Sequence, residues 1–170
     1  YYSLHQIINL FKTQIWGLIE YHTSAIFHAC DTTLNKLDHI QASFLEKLSV
    51  STRSTFLDVN FAPTYQRRNI DMLAVLHKRV LNRMYPSFQT LFPFTDIPNP
   101  HRHTKQLLIT QPGVFFQTML FRRSLFAMVS IYNRLPQSIV DLTDIHEFQR
   151  ELTSIVRTRC SNDHELWDRT

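Results

Sequence analysis

The sequence has only two glycines among its 170 residues, and this scarcity argues against several kinds of protein. Glycine-rich phosphate loops and β-hairpin turns need residues that adopt left-handed backbone conformations without strain, and glycine is the usual one. The spacings typical of Walker and dinucleotide-binding loops do not occur. The sequence therefore argues against nucleotide-binding loops, hairpin-rich sheets and flexible linkers.

Cysteines and long apolar runs are scarce as well. Cys30 and Cys160 are the only cysteines and allow one disulfide at most, which favours a reducing compartment (nucleus or organelle) or a protein indifferent to redox. Lys12 and Glu20 interrupt the most apolar stretch, so we predict no membrane span. The chain begins with Tyr1 and not with Met, which indicates a processed product or a piece of a longer protein.

The usual patterns of catalytic residues do not occur. There is no G-x-S-x-G motif and no adjacent Asp-Asp pair of the kind a two-metal polymerase site uses. A zinc site could combine His28 and Cys30 with Cys160 and His164, but the usual close pair C-x-x-C is missing. We therefore expect no catalysis by this chain alone, no metal or other cofactor, and no small-molecule substrate.

What the sequence does contain is helical periodicity. Apolar residues recur at intervals of three and four, and 44% of the residues are hydrophobic, enough for a real core. The pattern predicts helices over residues 4–29 (with a break near Tyr21), 32–48, 63–84, 115–135 and 144–159, and shorter helical pieces over 56–61 and 86–92. Three prolines within residues 93–100 indicate an irregular loop. We expect an all-α helical bundle of about five main helices. It would comprise residues 1–92, a proline-rich loop over 93–113, and a helical pair with a polar tail over 114–170.

Positive charge is concentrated in the middle of the chain. Residues 61–134 contain ten Lys and Arg against two Asp and Glu, whereas residues 1–60 and 135–170 are both net acidic. A basic block is typical of a surface that binds a polyanion. The candidate contacts are Arg67, Arg68, Lys78, Arg79, Arg83, Arg122 and Arg123. The alternative is a helix surface neutralised by the acidic segments on folding, with Arg67 and Arg68 paired to the acidic terminal helices.

Two further groups accompany this block. His77 is expected to be a neutral interruption of the cationic surface of the third helix. His101, Arg102, His103 and Lys105 form a cluster suited to face a phosphate, with a solvated loop as the alternative.

Four segments follow one another in an informative order. They are LFKTQIWGLIEYHTSAIFHAC, LNKLDHIQASFLEKL, FAPTYQRRNIDMLAVLHKRVL and FRRSLFAMVSIYNRLPQSIVDLTDIHEFQREL. In this order they resemble the thumb and post-thumb region of reverse transcriptases from LINE-type (non-LTR) retrotransposons, over roughly residues 4–158. The most specific point is Tyr132-Asn133-x-Leu135-Pro136, although the family usually has tryptophan where this chain has Tyr132. The family's finger and palm segments, which carry the catalytic aspartates, have no counterpart here.

The resemblance implies that residues 1–92 form a thumb-like region that grips the backbone of a template–primer duplex. The seven candidate cations would contact phosphates, and such contacts give salt-dependent, sequence-independent affinity. Our first hypothesis is therefore a non-catalytic domain that binds an RNA or DNA backbone. The alternative is a captured retroelement fragment that serves as a structural subunit of a large multiprotein complex, an organellar one included. The first hypothesis requires exposed cations, whereas the second predicts paired or scattered cations and apolar helix faces that meet partner chains.

Overall fold

A computed structural model of the chain describes residues 2–109, 121 and 123–162. The chain forms two compact units, which we call unit 1 (residues 1–71 and 152–170) and unit 2 (residues 72–151). The boundaries of these units reflect which residues pack together. The segments 1–92, 93–113 and 114–170 were defined from the sequence pattern, and that division stays a prediction. The described residues are mostly helical and include no strand, so the predicted all-α class is confirmed.

The helices of unit 1 begin near the N-terminus. They are α1 (Leu4–Phe11), a π-helical turn (Lys12–Trp16), α2 (Gly17–Tyr21), α3 (Thr23–Ile26), α4 (Asp31–Lys47) and α5 (Thr52–Val59). The predicted break near Tyr21 is confirmed, since His22 leaves the helical region between α2 and α3. The short helix predicted over residues 56–61 is present with other bounds. The hydroxyl of Ser51 accepts the backbone N–H of Ser54 and starts α5 at Thr52, and Asn60 in a left-handed conformation ends it at Val59.

The remaining helices are α6 (Thr64–Val80), α7 (Pro86–Leu91), α8 (Leu125–Tyr132), α9 (Gln137–Val140) and α10 (Ile145–Ser161). Helices α6 and α10 each contain a boundary between the units. Helix α6 ends before the predicted residue 84, because Asn82 adopts a left-handed conformation with φ 56° and the N–H of Arg83 returns to the carbonyl of Lys78. Arg83 therefore lies beyond the helix.

The helix predicted over residues 115–135 is interrupted, because Phe121 is helical but Arg123 and Ser124 are not. Ser124 has extended backbone angles, so α8 starts at Leu125, and Arg123 lies in the turn that precedes it. Residues 115–120 and Arg122 lie outside the described residues. The interpretation of an arginine pair carried on a helix is thus wrong for Arg123 and undescribed for Arg122.

Unit 1 is built around an aromatic cluster. Ile8, Phe11, Trp16, Leu45 and Phe61 are buried together, and the rings of Trp16 and Phe61 stack with centroids 4.4 Å apart. No described helix is long and apolar enough to cross a membrane, which agrees with the absence of a span predicted from the sequence.

Unit 2 is organised around Tyr132 and Asn133, which are 0% and 2% exposed. The hydroxyl of Tyr132 lies 2.9 Å from Nδ1 of His77, and Nε2 of His103 donates to the backbone carbonyl of Tyr132 over 3.1 Å. The amide of Asn133 accepts from the N–H of Leu107 (3.0 Å) and donates to its carbonyl (2.8 Å). These bonds attach the end of α8 to the irregular segment 93–109, part of the predicted proline-rich loop.

Replacing Asn133 by alanine should destabilise unit 2. Both backbone groups of the buried Leu107 would lose their partners, at a cost of about 1–3 kcal/mol for each group. Urea denaturation should show this loss of unfolding free energy, whereas Asn35→Ala on the exposed side of α4 should stay within about 0.5 kcal/mol of the native chain. Equal stability of the two variants would contradict the role assigned to Asn133.

Candidate nucleic-acid interface

Arg67 lies in α6 and makes its contacts within unit 1. Its Nε donates to the carboxylate of Glu20, and its guanidinium lies over the ring of Trp16, 4.0 Å from the centroid. Arginine above an aromatic face combines electrostatic attraction with planar stacking. This side chain connects α6 to the helix that contains Glu20.

Arg68 is buried and forms a two-pronged ion pair. Its two terminal nitrogens donate to the two carboxylate oxygens of Asp38 in α4, over 2.6 and 3.0 Å. The side chain of Arg68 is 5% exposed and that of Asp38 is 27% exposed. Arg67 and Arg68 are thus paired with acids of the first third of the chain, as the alternative interpretation held, and neither is presented as an open cation.

Arg79 is also used for packing, in this case within unit 2. It is 5% exposed, its Nε donates to the carbonyl of Phe92 over 2.8 Å, and its guanidinium lies 4.5 Å from the ring centroid of Phe94. The side chain holds the segment that follows α7 against the end of α6.

Two of the candidate cations are exposed. Lys78 lies on the outside of α6, and Arg83 is exposed while one of its terminal nitrogens donates to the carbonyl of Thr143 over 3.0 Å. Arg123 is half-buried in the turn before α8, and Arg122 lies outside the described residues. Among the described candidates, Lys78 and Arg83 in unit 2 are the ones best placed for contact with phosphate.

The cluster at residues 101–105 divides into two kinds of residue. His103 is 2% exposed and bonds the carbonyl of Tyr132, and Lys105 forms an ion pair with Asp141 over 3.4 Å. His101 and Arg102 remain exposed. The sequence alone did not separate the exposed members of this cluster from the structural ones.

His77 was expected at the surface but is 0% exposed. Its ring stacks on Phe148 with centroids 4.0 Å apart, and its Nε2 lies 2.7 Å from the carbonyl of Leu142. Because a carbonyl can only accept, Nε2 carries the proton, and Nδ1 then accepts from the hydroxyl of Tyr132. The ring is neutral in this arrangement.

The two buried histidines respond to the positive charge of unit 2. Burial is the main reason that the pKa of His77 is lowered, and the charges of Lys105 and Arg83 lower it further against the bond to Leu142. Burial likewise lowers the pKa of His103, with smaller lowering by Arg102 and Lys105 opposed by Tyr132 and Asp141. Arg83, Arg102 and Lys105 therefore all act on this buried pair.

Two residues with a part in these arrangements, Asp38 and Arg134, were not predicted from the sequence. Asp38 lies on α4 three residues before the buried Gln41, near the face that packs inward. Because a partly buried carboxylate needs a cationic partner, this position could have indicated an ion pair. Arg134 directly follows the buried Asn133, and it is exposed. The fold places it at the same cleft as Arg102, which the sequence pattern does not indicate.

The chain matches no protein-family model, no curated protein and no solved structure.

The lowered pKa values of His77 and His103 predict that acid destabilises the fold. Unfolded histidines take up protons near their ordinary pKa of 6.5, whereas the folded ones do so only at lower pH. The unfolded state thus binds more protons below about pH 6.5, so the free energy of unfolding is fully retained above that pH and falls as the pH decreases below it.

Urea denaturation between about pH 8 and about pH 5 measures this dependence. His77→Gln should flatten the decline, whatever its effect on stability at neutral pH, and Asn35→Ala, which removes no titratable group, should leave the decline unchanged. A decline of the same steepness in the native chain and His77→Gln would contradict the assignment.

Proposed function

We propose that the chain is a non-catalytic helical domain, derived from a LINE-type reverse transcriptase, that binds the sugar-phosphate backbone of a template–primer duplex through unit 2. The distribution of charge carries this proposal. Unit 1 contains nine Lys and Arg and nine Asp and Glu, whereas unit 2 contains nine Lys and Arg and five Asp and Glu. The whole net charge of +4 thus belongs to unit 2.

The contacts of individual cations support the same assignment. In unit 1, Arg67 and Arg68 are occupied by Glu20 and Asp38. In unit 2, Lys78 and Arg83 are exposed, and Arg83 belongs to the group whose charge acts on the buried His77. The proposal therefore keeps the duplex suggested by the resemblance to the thumb region but assigns its binding to cations other than Arg67 and Arg68.

A structural or interaction subunit of a large multiprotein complex is the second candidate, and one feature of unit 1 favours it. Leu10, Leu18 and Tyr21 are 58%, 63% and 84% exposed. The charged residues among them, Lys12 and Glu20, both make contacts within unit 1, to the carbonyl of Val59 and to Arg67. Both charged side chains thus have partners within unit 1, and α1 and α2 expose a partly apolar surface of the kind that meets other proteins.

Binding of a fluorescent RNA–DNA hybrid, measured by anisotropy over a series of salt concentrations, separates the two candidates. We expect affinity that falls steeply with salt, because phosphate contacts release counterions. Lys78→Ala with Arg83→Ala should lower the slope of log affinity against log salt by about one for each cation removed.

The matched control is Lys36→Ala with Lys47→Ala, which removes the same charge from exposed positions of α4 in unit 1. Its slope should equal that of the native chain. The absence of hybrid binding at low salt would refute the proposal and favour the structural subunit, and an equal loss in both double variants would show only a dependence on net charge.

A further inference from the structure

Unit 2 contains a cleft between two segments that are far apart in the sequence. Residues 100–103 form one wall and residues 134–137 form the other, around a volume of about 440 Å³. The residues that line it include His101, Arg102 and Arg134 and no Asp or Glu. The cleft is therefore a local concentration of positive charge.

Arg102 and Arg134 differ from Arg79 and Arg83 in their contacts. Both side chains are exposed, and neither guanidinium makes a hydrogen bond or ion pair to another residue in the part of the chain that the structure describes. Arg79 and Arg83, in contrast, donate to the carbonyls of Phe92 and Thr143. Two guanidinium groups in one cleft without an internal acceptor suit a ligand that offers several anionic oxygens.

The walls of the cleft are fixed by hydrogen bonds. Nε2 of His103 donates to the carbonyl of Tyr132, and the N–H of Thr104 donates to the side chain of Gln137 over 2.9 Å. At the other end of the first wall, the N–H of His101 donates to the side chain of Asn99, also over 2.9 Å. The two arginines thus extend from backbone that is already held in place, which reduces the ordering that binding requires.

The neighbouring Lys105 is excluded from this site. Its ammonium group contacts Asp141 and the carbonyl of Val140, each over 3.4 Å, and it does not line the cleft. Of the cluster at residues 101–105, the exposed His101 and Arg102 therefore supply the polar side of one wall, and Arg134 lies in the opposite wall.

We propose that this cleft binds a phosphate of the nucleic-acid backbone between the guanidinium groups of Arg102 and Arg134. The inference rests on the proposed function and adds a specific site to it. One guanidinium group can donate two parallel hydrogen bonds to two oxygens of a phosphate, whereas an ammonium group acts as a point charge. Replacing Arg102 and Arg134 by lysine therefore keeps the charge of the cleft but removes the guanidinium groups that can donate two parallel hydrogen bonds.

The test compares three double variants of the full chain: Arg102→Ala with Arg134→Ala, Arg102→Lys with Arg134→Lys, and the control Lys36→Ala with Lys47→Ala. Hybrid binding is measured by anisotropy against salt. The alanine pair should weaken binding and lower the salt slope by about one, because the cleft is proposed to bind one phosphate. The lysine pair should keep most of the slope but bind more weakly than the native chain, and the control should bind as the native chain does.

A second measurement uses inorganic phosphate alone, followed by amide chemical shifts in a nitrogen–proton correlation spectrum. In the native chain, phosphate should shift the amide signals of residues 101–103, 134, 135 and 137, and in the alanine pair these shifts should disappear. The remaining resonances of each variant report whether the fold is intact.

Each contrary result has a distinct meaning. Hybrid binding that is equal in the native chain and the alanine pair would overturn the cleft while leaving the proposed function of unit 2 in place. If inorganic phosphate shifts the amide signals of the cleft but the chain does not bind the hybrid, then neither the binding of nucleic-acid phosphate in the cleft nor the proposed function holds. The cleft would then be a site for free phosphate. If the alanine pair and the control weaken hybrid binding equally, the loss depends only on net charge, and the proposed site in the cleft is wrong.

Discussion

The hydrogen bonds that converge on Tyr132 are the constraint on which the structure of unit 2 depends. Its hydroxyl donates to His77 in α6, its carbonyl accepts from His103, and the adjacent Asn133 bonds both backbone groups of Leu107. All these groups are buried, where an unpaired donor or acceptor costs far more than a formed bond contributes. The network therefore fixes α6, α8 and residues 103–107 together, and with them the positions from which Arg83, Arg102 and Arg134 extend.

In unit 1, Arg67 and Arg68 serve as packing and pairing groups. Arg68 would be costly to bury without the two-pronged bond to Asp38, and Arg67 covers the ring of Trp16 while it bonds Glu20. The cations of the basic block therefore fall into two groups with different roles. One stabilises the fold, and the other, in unit 2, gives that unit its excess charge and supports the proposal of backbone binding.

The sequence was sufficient for the helices wherever local signals decide them. Pro86 begins α7 as expected, and Asp144 accepts N–H groups of His146 and Glu147 at the start of α10. The roles of the arginines could not be predicted in this way, because the partners of Arg67 and Arg68 lie 47 and 30 residues away along the chain. Periodicity assigns a residue to a helix face, but it does not identify the side chain on the facing element. The prediction that His77 lies at the surface failed for the same reason, since its partner Tyr132 is 55 residues away.

The most direct test of backbone binding by unit 2 is to crosslink the native chain to an RNA–DNA hybrid that carries a photoreactive thionucleoside, and to identify the crosslinked peptides by mass spectrometry. We expect crosslinks in unit 2, in the peptides that contain Lys78 and Arg83, Arg102, and Arg134. Crosslinks confined to α1–α5 of unit 1, or none under conditions where the hybrid is bound, would contradict the assignment of nucleic-acid binding to unit 2.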